Sequence, residues 1–589
     1  MCICVYDFEV YLHDWLVVIY DMTNKEKKII HNSEYDLACF YDEHKNDIWI
    51  GYNNINYDQY ILKAILLGMN PKTVNDQIII DGLKGWQISK EFSKIQMYNY
   101  DTVGTQRIGL KTLEGFMGND IKETDVPFDL DRPLTDDEIA ETVKYCTHDV
   151  EQTIEVFLKK QNDFKSMMHI VKEFNLGLAH IGDTGAKVTA TVLGCMRNDY
   201  KDEFDVKILP CIQIKKYKEV INWYKEQLDK KDPYIYNTFK CVDVAGVPHI
   251  FAFGGLHGAP SQPIHRKGAI YHVDVNNYYP SMLIAHDLVT RSATNDNYVK
   301  IYNTRKALKM KQLSAKTKEE KNFYKAQQLP YKQMLNSLSG AMKDKFNPAY
   351  DPRNNNTMCI NGQLMLLDLI EHLEAIDGFE LIQSNTDGLI VKIPDTDNAF
   401  NQLDDICYDW EKRMSTDKCT IGLALDQISE IYQRDVNNYL WLDLDGSIGE
   451  RKGGNVKELN DLDYDLPIVN EALVNYMAHK IPVEVTINNC NDLIKFQKIV
   501  KLSNHYSYVE HNGIKYTYKC YRVFASTDSK DGMIYKCGGA RGSNEKFANT
   551  PEHSFIDNSD VKNKTVPNKL DKLWYTELAK KRLDAFLGK

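Results

Sequence analysis

What the 589-residue chain lacks narrows it first. No apolar run approaches the ~18 to 20 residues of a membrane span, and the N-terminus, MCICVYDFEV, has neither the basic nor the apolar block of a signal peptide. A soluble, unexported chain is expected. There is no C-x-x-C pair, no H-E-x-x-H and no Cys/His cluster at zinc spacing. Thirteen cysteines, an odd number scattered from Cys2 to Cys537, argue for reduced thiols in a cytoplasm and against a disulfide scaffold or a structural zinc. No internal repeat or low-complexity tail is visible. Positive charge is also short: 72 basic against 83 acidic residues leaves −11, a sum that by itself disfavours nucleic acid as a partner.

The length points to about four domains at one per ~150 residues. Its charges are segregated along the chain. Residues 119–151 carry eleven acids and three bases, net −8, whereas residues 300–345 carry twelve bases and three acids, net +9. Residues 561–589 add eight bases and three acids, net +5, in a stretch that reads as a basic amphipathic helix. Cationic segments in an acidic protein fit an anionic polymer held along part of the surface. Strands followed by acidic helices predict an α/β domain over the first ~180 residues. Farther on, ELIQSNTDGLIVKI (residues 380–393) reads as a hairpin around Asn-Thr-Asp-Gly, and residues 362–375 as a helix. The Gly- and Asp-rich stretches 443–467 and 526–554 read as surface loops or linkers.

Asp7 and Glu9 stand two apart on an expected strand, so both carboxylates leave one face and can share a divalent cation. Asn54-Ile-Asn-Tyr-Asp58 precedes a helical apolar pattern, which places Asp58 at a helix start. Tyr145 and Asp149 are i, i+4 on a helix, where a phenol and a carboxylate address the same point. Clustered carboxylates with an aromatic hydroxyl suit metal-dependent phosphodiester hydrolysis.

A second pair lies far apart in sequence. Asp274 ends the apolar run AIYHVDV, and Asp387 sits at the tip of the SNTDG hairpin. If both strands share a sheet, the two carboxylates can face each other and hold two Mg²⁺ ions, which would activate a hydroxyl nucleophile and stabilise a departing pyrophosphate. Between them Lys332, Asn336 and Gly340 fall on one helical stripe, and Arg305 with Lys309 forms another i, i+4 pair on a preceding helix. A cation and an amide on such stripes can grip a triphosphate, and a Gly lets a base pair approach the backbone.

In order and spacing, D-x-E at 7–9, N-x-x-Y-D at 54–58 and Y-x-x-x-D at 145–149 resemble the three exonuclease motifs of family B DNA polymerases. Residues 274–281, 332–340 and 383–388 resemble that family's polymerase motifs, so the resemblance spans Asp7 to about Tyr439. It implies a ribonuclease-H-like 3′→5′ exonuclease domain joined to a right-hand polymerase, an α/β and α+β multidomain chain. By position Asp7, Glu9, Asp58 and Asp149 are then exonuclease metal ligands, with Tyr145 orienting water and Thr102 holding the frayed primer end. Asp274 and Asp387 are the polymerase metal ligands and Tyr279 the steric gate against a 2′-hydroxyl. Arg305, Lys309 and Lys332 grip the incoming triphosphate, Asn336 lies near the nucleotide, and Gly254, Gly255 and Tyr439 touch DNA.

The departures matter. Asn385 stands where the motif has its first Asp, Ser339 replaces a Tyr, the segment at Gly254-Gly255 lacks its Tyr, and Asn437 replaces the Lys of K-x-Y. Only fifty residues separate Ser281 from Lys332 and forty-four separate Gly340 from Asn385. Those gaps resemble a compact bacteriophage type without the family's usual N-terminal domain or the insertions of the protein-primed members, so neither terminal-protein priming nor intrinsic high processivity is expected. The expected layout is exonuclease 1–185, palm 186–290, fingers 291–340, palm again 341–465 and thumb 466–589. Two Mg²⁺ ions per site are implied, with Mn²⁺ a substitute, and the expected partners are primer-template DNA, dNTPs and a processivity or replisome factor. A monomer in the cytoplasm of a bacterial host completes the expectation. Two rivals stay open: an exonuclease whose polymerase half has decayed into a DNA-holding platform, and a non-catalytic DNA-binding replication protein.

Overall fold

The computed structural model describes residues 1–104 and 107–589. It is a mixed α/β, multidomain chain that divides into two compact units. The first contains residues 1–183, 459–468 and 489–575; the second contains 184–458, 469–488 and 576–589. Residues 466–589, expected as one C-terminal block, are therefore split between the two. Among the described residues no helix is long and apolar enough to cross a membrane.

The first unit is built on a five-stranded sheet of order β3-β2-β1-β4-β5: β1 (Ile3–Val10), β2 (Trp15–Asp21), β3 (Glu26–His31), β4 (Ile48–Gly51) and β5 (Tyr98–Asp101). Central β1 runs antiparallel to β2 and parallel to β4. Its alternation decides where its acids go. Cys4, Tyr6, Phe8 and Val10 join one core with Val17, Trp49 and Ile61, while Val5 joins the other with Val18, Ile50, Cys146 and Val150. Asp7 and Glu9 share the parity of Val5, so they face the helix Asp136–Lys159, which brings Cys146 and Val150. That helix starts at a capping box, Thr135 Oγ1 receiving the Glu138 N–H and the Glu138 carboxylate receiving the Thr135 N–H.

The second unit carries a nine-stranded antiparallel sheet with β9 (Ile264–Val275) near its centre. The order is β14-β13-β12-β9-β11-β10-β8-β7-β6, using β6 (Lys240–Val244), β7 (Val247–Phe251), β8 (His257–Gly258), β10 (Glu380–Asn385), β11 (Gly388–Lys392), β12 (Leu423–Asp435), β13 (Asn438–Asp443) and β14 (Ile448–Lys452). Two helices, Asn297–Ser314 and Lys318–Lys343, hold most of the +9 stretch. The helix expected at 362–375 begins ten residues earlier, at Pro352, capped by the Asp351 carboxylate on the Asn354 N–H. Its Asn-rich opening concealed it. Those amides are buried because they serve other chain segments: Asn356 donates to Glu203 O at 3.0 Å and Asn361 to Lys207 O at 2.8 Å.

Short strands interrupt both expected loop stretches, which are otherwise mostly turns and loops. β14 lies within 443–467, and β19 (Ile534–Cys537) with β20 (Glu545–Lys546) lies within 526–554. The C-terminal strands form two small sheets, β15 (Lys498–Lys501), β18 (Cys520–Ala525) and β21 (Ser554–Ile556) in one, and β16 (Tyr508–His511), β17 (Ile514–Tyr516), β19 and β20 in the other. Val500, Val509, Tyr521, Val523 and Ile534 make their common core. Against the N-terminal residues, Ile499 and Cys520 pack on Ile121 and Phe116.

Candidate active sites

In the first unit the carboxylates gather where β1 meets two helices. Asp58 opens the helix Asp58–Leu66 and accepts the Phe8 N–H at 3.1 Å, which ties it to β1 between Asp7 and Glu9. Tyr145 and Asp149 come from the helix facing β1. Glu9, Asp58 and Asp149 are all at least nine-tenths buried. Burial raises the pKa of Asp7 well above the ordinary carboxylate value, and Asp58, Glu9 and Asp149 push it further. Glu9 is raised by burial and by Asp149; Asp58 is pushed up to about 7 by burial, although backbone N–H bonds pull the other way. Burial and these acids also hold the Tyr145 phenol in its protonated form.

A cation that sequence reasoning missed answers part of this charge. Lys111, on the helix Leu110–Met117, donates to the Asp149 carboxylate and, at 3.1 Å, to Glu114, with its ammonium 4.7 Å from the Tyr145 ring centroid. His148 Nε2 stands 3.4 Å from the same Glu114. In the sequence Lys111 and Glu114 form an ordinary i, i+3 pair, the pattern of a solvated surface, and nothing local marks Glu114 as fully buried. Thr102 directly follows β5. It is 2% exposed and its hydroxyl donates to Gly51 O at 3.0 Å, so the side chain secures the β4–β5 edge.

The second unit brings its distant residues to one cavity of about 410 Å³. In register, Gly388 of β11 stands opposite Asp274 of β9, and the Val275 N–H donates to Asp387 O at 2.8 Å. Asp274 and Asp387 thus line the cavity floor together with Thr386 and Tyr279, while Arg305, Lys309, Lys332, Asn336 and Ser339 line it from the two basic helices. Gly340 is not part of the lining. Burial, then Asp387, pushes Asp274 up to about 7, and Lys309 opposes this. Burial likewise raises Asp387 against its own N–H, His272 and Lys452.

The loop after β9 uses its two asparagines. Asn277, at φ 52°, accepts from Arg305, and Asn276 accepts from Lys309 at 3.1 Å, so both helix cations are oriented by amides next to Asp274. Thr386, at φ 52°, donates its N–H to Leu256 O at 2.7 Å. A Cβ at Gly255 would come 2.8 Å from Thr386 Oγ1, which explains a glycine beside the hairpin tip; Gly254 O accepts from Gln363 at 2.9 Å. Tyr279 stacks on Tyr278 at 5.4 Å and rests against Gly362, where a Cβ would meet its ring at 3.1 Å. Tyr439 is 4% exposed, stacked on Trp441, and gives its hydroxyl to Glu450 at 2.9 Å. Asn437 is exposed, with its N–H on the Asp435 carboxylate.

No protein-family model and no curated protein matches the chain. Among solved structures it is similar to the family B DNA polymerase of the hyperthermophilic archaeon Pyrobaculum calidifontis at 12% identity and a TM-score of 0.40, over 100% of this chain and 78% of that one. At that level the likeness carries no functional argument, and the case rests on the chain's own residues.

Proposed function

We propose that the chain is a DNA-directed DNA polymerase of family B type, compact as in bacteriophage members, with a separate 3′→5′ exonuclease site. The observation that carries this reading is the second cavity: two carboxylates on adjoining strands faced by Arg305, Lys309, Lys332 and Asn336 from the basic helices. Facing acids and bases on one wall each suit a different part of a nucleoside triphosphate. The three cations bind and orient its phosphates and stabilise charge on the departing pyrophosphate. Tyr279, braced from behind by Gly362, excludes a ribose 2′-hydroxyl by its fixed position.

Both carboxylate groups fit divalent cations. Buried acids that raise one another's pKa, with Lys111 contacting only Asp149 among the four, leave a negative excess that hard cations would balance. Asp274 and Asp387 would hold them in one site, and Asp7, Glu9, Asp58 and Asp149 in the other. When bound, Mg²⁺ supplies Lewis-acid stabilisation of phosphate oxygens, and Mn²⁺ the same chemistry less selectively. In the first site the Tyr145 hydroxyl, kept protonated, orients a water toward the phosphodiester, while Lys111 fixes Asp149 and adds positive charge beside it.

Asn385 and Asn437 favour a second reading, an exonuclease with a decayed polymerase half. Primer extension with Mg²⁺ on a primed template separates the two. The polymerase reading expects dNTP-dependent extension by the wild type and a loss of at least ~10³-fold in Asp387→Ala; a wild type that degrades 3′ ends but never extends them supports the second.

A further inference from the structure

Helix Leu110–Met117 carries Lys111 into the first site, and its C-terminal end is held by the C-terminal residues of the same unit. The chief contact is Arg522 on β18, which is fully buried. Its guanidinium makes five hydrogen bonds: Nε to Gln497 Oε1 at 2.9 Å, Nη1 to Ser559 O at 2.6 Å and Asp557 O at 3.2 Å, and Nη2 to Asn119 O at 2.7 Å and Gly115 O at 3.2 Å. Every partner atom is neutral. A buried cation without a carboxylate against it is costly unless the acceptors are fixed and numerous. Here two of them, Gly115 O, which also accepts the Gly118 N–H at 3.1 Å, and Asn119 O belong to the helix's C-terminal end and the turn beyond it, where the helix dipole favours a positive charge.

Further contacts fix the helix's rotation. Cys520, two residues before Arg522, donates its thiol to Lys111 O at 3.5 Å. Gly115 lies so close to β15 that a Cβ there would stand 2.9 Å from Ile499 Cδ1. Val561 N–H donates to Gly118 O at 2.9 Å and Ile121 N–H to Asn558 O at 2.7 Å. Turning the helix by a fraction of a turn would break this set and swing Lys111 away from Asp149 and the Tyr145 ring.

We infer that Arg522 is a positioning residue of the exonuclease site: by clamping the end of helix Leu110–Met117 it keeps Lys111 against Asp149 and Tyr145. The inference rests on the exonuclease reading above and goes beyond it by making residues 489–575 a working part of that site.

The test uses the full chain, with Arg522→Gln, Arg522→Lys, Lys111→Ala and the double variant Arg522→Gln/Lys111→Ala. Single-turnover degradation of a single-stranded 3′ end, its KM, and primer extension by the same preparations are measured. Arg522→Gln is expected to slow degradation on the order of tenfold with KM and extension nearly unchanged, and Arg522→Lys to recover much of the rate. If Arg522 acts through Lys111, the double variant is no slower than Lys111→Ala alone. Penalties that multiply in the double variant, or a wild-type degradation rate in Arg522→Gln, would overturn the inference. If Arg522→Gln does not fold, Gly115→Ala displaces the helix, and with it the Gly115 carbonyl that Arg522 holds, while keeping the Arg522 side chain and every acid; it must show the same selective loss, and a wild-type rate refutes the positioning role. A wild-type protein with no degradation at all removes the exonuclease reading itself, a result distinct from activity indifferent to residue 522.

Discussion

Single carboxylates set the first expectation. Without a cation, Asp58 and Asp274 hold protons up to about pH 7, whereas the same groups in an unfolded chain release theirs near ~3.9. At these two groups the folded chain therefore binds more protons between these values, and their contribution to its stability falls as pH rises from about 4 to about 7. A divalent cation displaces those protons and removes the loss. The stabilisation by Mg²⁺, read as the shift in thermal midpoint, should accordingly be small at pH 5 and grow toward pH 8. Equal shifts at both pH values would contradict the carboxylate assignment. Tyr279 gives a second expectation: Tyr279→Ala should relax sugar discrimination, and unchanged ribonucleotide incorporation would count against the gate. At this scale the acids could be read from the sequence because their spacing encodes their parity on β1 or their face on a helix. Lys111, Asn276 and Asn277 could not, since their roles come from partners that only folding brings near. Thr102 shows the converse, a residue in a suggestive position whose hydroxyl is used by the backbone.

Among the elements, β12 shows how one side chain can pin a sheet. Glu430 is 7% exposed and receives His265 at 2.7 Å and Lys480 at 2.8 Å. Burial alone would raise its pKa, but the bonds from Lys480, Tyr432 and His265 prevail and bring it to about 2. A carboxylate held below its unfolded value contributes stability above pH ~4.3 that is lost as pH falls toward 2. Glu430→Gln should thus cost about 1 to 2 kcal/mol at neutral pH, discounted because Lys480 is half exposed. Urea midpoints at pH 7 and pH 3 check this, and a penalty that does not shrink at pH 3 would refute the pin. The hairpin of β10 and β11 was legible because Asn-Thr-Asp-Gly is turn chemistry between two apolar runs. The start of helix Pro352–Leu373 was not, because its buried amides look solvent-facing until their backbone partners are in place.

At the level of the whole molecule, the net charge conceals how the charges are distributed. The −11 sum hides a basic pair of helices lining one cavity and a cluster of acids in another unit. The C-terminal residues escaped the sequence for a related reason: nothing local in 489–575 says that their strands belong with residues 1–183, an association made by contacts such as Arg522 to Asn119. Each candidate site nevertheless lies within a single unit with its own sheet. Chemistry housed in separate cores should be separable by substitution, because changes with no shared partners add independently. Asp7→Ala with Glu9→Ala should abolish degradation of single-stranded 3′ ends and leave extension within about twofold, while Asp387→Ala should do the reverse. Asp7 and Glu9 are raised by burial and by neighbouring acids, and Asp387 in turn raises Asp274, so removing them relieves repulsion and neither loss would come from unfolding. Thermal midpoints equal to or above the wild type's in metal-free buffer would accompany the split. Joint loss of both activities at an unchanged midpoint would mean that one set of carboxylates serves both reactions.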